Sequence, residues 1–344
     1  MSGVTTLFPV LAAVLALVWP PPAAHAAGVD CSTVTLPVSG PAGAATVSGQ
    51  LCEPAGTSPR SVQLLVHGGT YNRAYWDLPG VPESYSYQRS MAREGLATFA
   101  VDRLGAGASS RPPSLPLLLP LEARSMHEVV QHLRAGRVGG TAYEKVVIVG
   151  HSVGSGIVAA EASAYHDVDG VVLSGMTHLP AVPVLALGAA LGLQPVFLDD
   201  LLAKLGSDPL YFTTRPGARA GLFYAPDDAE QLVVDADERT KDQVSVPGMG
   251  TVAVFGIVLP ATLGIDVPVL QAVGSRDVLF CGLLAARDCS SAASLRAQES
   301  PYYRPEAQLQ TYVLPGAGHS LALHRNAGDY RAATRSWLSA KLGM

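Results

Sequence analysis

Short runs of apolar, often β-branched residues recur along the chain at Val62–Val66, Ala97–Val101, Val146–Val149, Val168–Leu173, Val267–Val273 and Leu309–Leu314. Short, mostly apolar runs of this kind predict strands buried on both faces, as in a parallel sheet. Between them lie segments with helical spacing. Residues 121–135 carry Leu121, Met126, Val129, Val130 and Leu133 on one stripe and stop at Gly136. Further helices are expected at 84–95, 153–164 and 327–342. Ahead of this series, residues 31–37 and 44–52 alternate apolar and polar positions around Ser39-Gly40-Pro41-Ala42-Gly43, which predicts a hairpin. An antiparallel start followed by strand–helix alternation points to an open α/β sheet.

The rhythm fails between Leu179 and Asp266. A structureless loop of that size is improbable inside a compact domain. Residues 184–205 are strongly apolar and helix-compatible, and an acidic segment follows from Asp227 to Asp242. The reading is an inserted, mostly helical cap at 180–262, dividing a core made of 27–179 and 263–344.

The first 26 residues contain no Asp, Glu, Lys or Arg. Residues 7–19 are apolar but short for a membrane span. Prolines at 20–22 and Ala24-His25-Ala26 then give a small-x-small pattern, so 1–26 is read as a secretory signal peptide, although no basic residue precedes its apolar run. Four cysteines, an even and sparse set, suit an exported chain with two disulfides. Three pairings are possible. Cys31–Cys52 and Cys281–Cys289 are favoured because each closes a short local loop. No C-x-x-C or clustered His argues for zinc. The net charge of -5 comes without any long basic run, which speaks against a nucleic-acid partner.

Candidate chemistry centres on Gly150-His151-Ser152-Val153-Gly154, a G-x-S-x-G motif between an apolar run and a small-residue helix. That strand–turn–helix setting is the one a nucleophile elbow needs. Ser152 requires a base. His151 is adjacent, but neighbouring side chains at a turn diverge. The expected base is His319 in Leu314-Pro-Gly-Ala-Gly-His-Ser320, a glycine-rich loop after the last strand. His324 is expected at or near the start of the last helix. Asp277, just past the penultimate strand, is the expected orienting carboxylate. Asp266 precedes its strand, and Asp102 reads as an anchor for the loop after its own. The expected oxyanion donors are the N–H groups of Val153 and Gly69, the latter in LLVHGGTYNRAYWD, with Thr70 next in line. His67 reads as structural. Thr70, Tyr71, Tyr75 and Trp76, with His151, Met176 and His178, are candidates for contact with substrate, although aromatics also serve simply as core.

These motifs, HGG at 67–69, DRLGAGAS at 102–109, GHSVG at 150–154, and Asp277 with GAGHS at 316–320, resemble the α/β-hydrolase superfamily. The chain looks like its capped, secreted bacterial serine hydrolases. The resemblance implies an eight-stranded, mostly parallel sheet with helices on both faces, and Ser152, Asp277 and His319 as nucleophile, acid and base. With serine at the elbow it implies hydrolysis of a carboxylic ester or lactone through an acyl-enzyme, with no metal or cofactor, and the apolar residues of 184–205 suggest a small, apolar substrate. The alternatives are an acyltransferase or peptidase of the same fold, or a non-catalytic binding protein on that scaffold.

Overall fold

The computed structural model describes Met1, Gly3 and residues 28–344; the remainder of the expected signal segment lies outside the described residues. The chain opens with β1 (Val29–Gly40) and β2 (Gly43–Pro54), a hairpin in full antiparallel register. Cys31 stands opposite Cys52 in that register and is disulfide-bonded to it. β3 (Ser61–Val66), α1 (Tyr87–Arg93), β4 (Ala97–Val101), α2 (Leu119–Arg134), β5 (Lys145–His151), α3 (Val153–Tyr165) and β6 (Gly170–Ser174) follow. The strand positions agree with the apolar runs to within about two residues. The 84–95 helix is shorter than its pattern. A 3-10 turn at Glu83–Tyr85 precedes it, and α1 starts only after Ser86, whose hydroxyl caps the Arg89 N–H at 3.0 Å.

Between β6 and β10 (Val269–Gly274) come α4 (Val182–Gly192), β7 (Leu193–Pro195), β8 (Tyr211–Thr214), α5 (Ala218–Phe223), α6 (Gln231–Thr240), β9 (Val244–Ser245) and α7 (Val246–Thr251). The chain ends with α8 (Ala292–Glu299), β11 (Gln310–Leu314) and α9 (Ala327–Leu342). The apolar stretch 184–205 is therefore not one helix. α4 presses Gly188 and Gly192 against Leu222 and then stops. The chain turns extended through Pro195, which cannot continue a helix. β7, β8 and β9 form a small antiparallel sheet whose strands of two to four residues are too short to show alternation.

The main sheet has eight strands in the order β1-β2-β4-β3-β5-β6-β10-β11, with β2 alone antiparallel to its neighbours. β3, β4, β5, β6 and β10 are buried almost throughout, as expected for strands covered on both faces. The order reverses direction after β4. A right-handed connection through α1 moves one way along the sheet, whereas those through α2 and α3 move the other, which places them on opposite faces. α1 accordingly packs with α9, and α2 with α3. β3 and β5 are adjacent, yet the chain leaves their carboxyl ends in opposite directions. The crevice that this opens is where a ligand site is expected. Among the described residues, no helix is long and apolar enough to cross a membrane.

Candidate active site

Ser152 ends the β5 side of that crevice. Its backbone sits at φ 53° and ψ −120°, a strained conformation for a residue with a side chain. The turn is tight enough to dictate its neighbours. A Cβ on Gly150 would lie 2.6 Å from Gly154 O and from Ser155 N, and one on Gly154 would lie 2.5 Å from Val66 O. Both glycines of the motif are thus required by close approach of backbone. The Ser152 N–H donates to Ser174 O at 2.8 Å, fixing the elbow to β6.

The β3 side supplies Gly68 and Gly69. Val66 pairs with Gly150, so the two strands end side by side. A Cβ at Gly68 would meet Ser152 Cβ at 3.1 Å, and one at Gly69 would meet the Val153 side chain at 3.2 Å. Among the described residues, neither the Gly69 nor the Val153 N–H donates to another protein atom. Val153 opens α3, where main-chain N–H groups lack helical acceptors and the helix dipole favours negative charge. His67 ties this loop down. Its Nδ1–H donates to Gly68 O at 2.9 Å, and its Nε2 accepts the Arg103 N–H at 3.1 Å. Burial, with Arg103 close by, holds its pKa well below the ordinary histidine value. Asp102 accepts from the main-chain N–H groups of Arg73 and Ala108 and pairs with the Arg73 guanidinium at 2.6 Å, so it anchors two loops.

His319 Nδ1 lies 2.8 Å from Asp277 Oδ2, with both side chains buried. Asp277 Oδ1 accepts the Leu279 N–H at 2.9 Å. The loops carrying this pair touch: a Cβ on Gly274 would be 2.1 Å from Gly318 O. The His319 ring packs 4.9 Å from that of His151, beside Ser152, and 5.6 Å from each of Phe223 and Phe280. His319 is 1% exposed, whereas Ser152, Val153 and Gly69 keep partial exposure.

The other residues singled out from sequence fall into distinct places. His151 is fully buried, stacked on Tyr75 at 4.2 Å. Burial and the neighbouring His319, His67 and Arg219 keep its pKa well below the ordinary value, which favours the neutral ring. Trp76 is fully buried against Tyr75 and Tyr87. Met176 is buried, its carbonyl accepting from Gln271 at 2.9 Å. His178 has both ring nitrogens engaged, by Glu299 at 2.6 Å and Thr262 at 2.8 Å, and stacks on Tyr302. Thr70 takes the left-handed φ of 60°. The Tyr71 hydroxyl meets Ser320 Oγ at 2.7 Å, next to His319, and burial beside Asp237 raises its pKa. Cys281 and Cys289 are bonded to each other.

Two features escaped the sequence reading. Arg219 from α5 forms a fully buried, two-pronged pair with Asp237 from α6, at 3.0 and 2.8 Å. Its guanidinium lies 4.0 Å over the Tyr71 ring and donates to Thr70 O at 3.1 Å. Tyr224 adds a 2.8 Å bond to the same carboxylate. The second is His324. Its Nε2 accepts the N–H groups of Gly318 at 2.8 Å and Ala225 at 3.2 Å, and its Nδ1–H donates to Ser320 O at 2.9 Å. A lone histidine and an ion pair 18 positions apart carry no spacing signal that would have revealed either.

Residues 63–333 match the family model described as alpha/beta hydrolase family. No curated protein matches the chain. Solved structures do. A thermophilic esterase from Thermogutta terrifontis is 18% identical, with 90% of this chain and 98% of that one covered and a TM-score of 0.54. E-2-(acetamidomethylene)succinate hydrolase is 20% identical over 91% and 100%, with a TM-score of 0.59. A soluble variant of monoglyceride lipase from Saccharomyces cerevisiae is 17% identical over 86% and 92%, with a TM-score of 0.56. At these identities the likeness is one of fold.

Proposed function

The chain belongs to the alpha/beta hydrolase family, and from that premise we propose that it is a serine hydrolase cleaving small, apolar carboxylic esters or lactones. The observation that supports this is the strained Ser152 elbow, whose neighbour His151 packs 4.9 Å from the ring of His319, itself bonded at 2.8 Å to Asp277. Ser152 Oγ attacks the ester carbonyl and passes its proton to His319 Nε2. Asp277 stays ionised, accepts from Nδ1–H and so holds the productive tautomer. The oxyanion forms against the N–H groups of Gly69 and Val153. His319 then gives the proton to the departing alcohol. Water enters, loses a proton to the same Nε2 and attacks the acyl carbon, and Nε2 then returns that proton to Ser152 Oγ as the acid departs. Phe223, Phe280 and Tyr71 around His319 support an apolar substrate.

The segment 180–262 acts as a cap over this site. Phe223, Arg219 and Asp237 from that segment pack beside Tyr71 and His319 and support this role. The two disulfides support export to an oxidising compartment, with 1–26 as the leader. One observation favours a second reading, acyl transfer to an alcohol: the covered His319 restricts water at the acyl-enzyme.

The test is hydrolysis of p-nitrophenyl esters of graded acyl length by the wild type and Ser152→Ala. A loss of about 10³-fold or more is expected, and full activity in the variant would end the proposal. Adding a small alcohol separates the readings, since a transferase yields the new ester and a hydrolase mainly the free acid.

A further inference from the structure

Away from the crevice, at the far end of α3, lies a second constellation of chemistry-bearing side chains: His127 of α2, Glu161 of α3 and Asp167 in the loop leading to β6. One ligand atom from each lies within 4.8 Å of the others. Glu161 is fully buried, and both of its carboxylate oxygens lack a hydrogen-bond partner in the protein. Asp167 Oδ1 is likewise unpartnered. Its Oδ2 meets His127 Nδ1 at 2.7 Å and the Gln131 amide at 2.6 Å.

Two carboxylates turned on one another, one of them fully buried, repel unless a proton or a cation lies between them. Among the described residues, no Lys or Arg side chain bonds to either carboxylate. Arg134, at the end of α2, is taken up by the Asp167 carbonyl at 2.8 Å and the Asp169 carboxylate at 2.7 Å. The His127 ring is held in place by stacking on Tyr165 at 4.0 Å. His127 and Asp167 retain partial exposure, which leaves a way in from solvent.

We propose that His127, Glu161 and Asp167 form a structural site for a divalent transition-metal ion of the Zn²⁺ class. An imidazole with two carboxylates suits zinc or manganese, whereas calcium and magnesium prefer all-oxygen shells. Tetrahedral bonds of about 2.0–2.2 Å set ligand atoms roughly 3.3–3.5 Å apart, so the 2.7 Å His127–Asp167 hydrogen bond must open and the more distant ligand atoms, now within 4.8 Å, must draw in. The ion joins α2, the C-terminal end of α3 and the β6 approach, so it fastens the helix that begins at Ser152 to its neighbour. The competing account is a proton shared between the two carboxylates, consistent with the Glu161 pKa being pushed up to about 10 by burial and by Asp167.

The experiment is Zn²⁺ titration of tag-free, chelator-treated protein by calorimetry and thermal unfolding, with the wild type, Glu161→Gln and His127→Ala compared. Glu161→Gln keeps the shape of the side chain and can bond to Asp167 without a shared proton. The expected result is one Zn²⁺ bound per wild-type chain with proton release and a Tm raised by about 3–6 °C at saturating metal. Both variants should bind at least 10-fold more weakly and show no such shift. Equal binding and equal shifts in wild type and Glu161→Gln would place any Zn²⁺ elsewhere and overturn the proposal. So would the absence of binding to the wild type, which would leave the shared proton as the account of the cluster.

Discussion

His324 Nε2 accepts the main-chain N–H of Gly318 at 2.8 Å, while its Nδ1–H donates to Ser320 O at 2.9 Å. The two groups flank His319, so one imidazole braces the loop on both sides of the proposed base. Burial keeps its pKa below the ordinary value, which preserves Nε2 as an acceptor. His324→Ala should fold yet loosen the loop. Expected is a kcat lower by about 10- to 100-fold with KM changed much less, since a misplaced base affects the transition state more than binding. A kcat equal to the wild type would show that the loop is set by other contacts.

Asp277 accepts from both His319 and the Leu279 N–H. Asp277→Asn retains the shape but presents an amide that can donate to Nδ1, stabilising the wrong imidazole tautomer. A kcat reduction of about 10³- to 10⁴-fold is expected, with near-wild-type KM. A loss below 10-fold would remove Asp277 from the mechanism.

The parallel strands were legible because burial on both faces writes them as short, mostly apolar runs. The β3–β5 crevice was not legible in the sequence, because the strand order that opens it is set by pairing. Ser152, Asp277 and His319 stood out because a tight turn or a loop past a strand end imposes small neighbours that are visible in the sequence. What stayed hidden was set by long-range contact. His178 lies on the expected edge, but its ring is occupied by Glu299, 121 positions away. β7 to β9 were invisible because two to four residues cannot display a period. Asp237 falls within the acidic segment 227–242, and nothing in the sequence ties it to Arg219, with which it is buried.

Protein stability should depend on pH through His151. Its folded-state pKa lies well below 6.5, chiefly through burial and then through His319, His67 and Arg219 nearby. The unfolded chain therefore binds a proton there, as pH falls through 6.5, that the folded chain refuses. The stabilising contribution is complete above that pH and lost below it. Replacing the histidine with an uncharged ring, as in His151→Phe, should flatten the decline in unfolding free energy between pH 6.5 and 5. The expected change is up to about 1.4 kcal/mol per pH unit, read from urea melts at several pH values. Identical slopes would mean that His151 protonates freely. The same variant should retain ester hydrolysis that His319→Ala lacks.

The Arg219–Asp237 pair tests how the 180–262 segment is held on the core. Both side chains are buried, and the pair is wired to Thr70, Tyr71 and Tyr224. Removing one member strands the other charge, so Asp237→Ala should cost about 3–5 kcal/mol of stability. Removing both charges together, as in Arg219→Met with Asp237→Leu, should recover most of that loss, because two desolvated ions are replaced by apolar packing. Activity should follow a different course. Tyr71 would lose its cation and its Asp237 contact in the double variant, leaving only Ser320 to orient its hydroxyl. Recovered stability with kcat still reduced is therefore the expected signature of a pair that aligns the site as well as fixing the segment. Chemical denaturation and ester kinetics on the two variants measure both halves. If kcat returned to wild type along with stability, the pair would serve only to hold the segment in place.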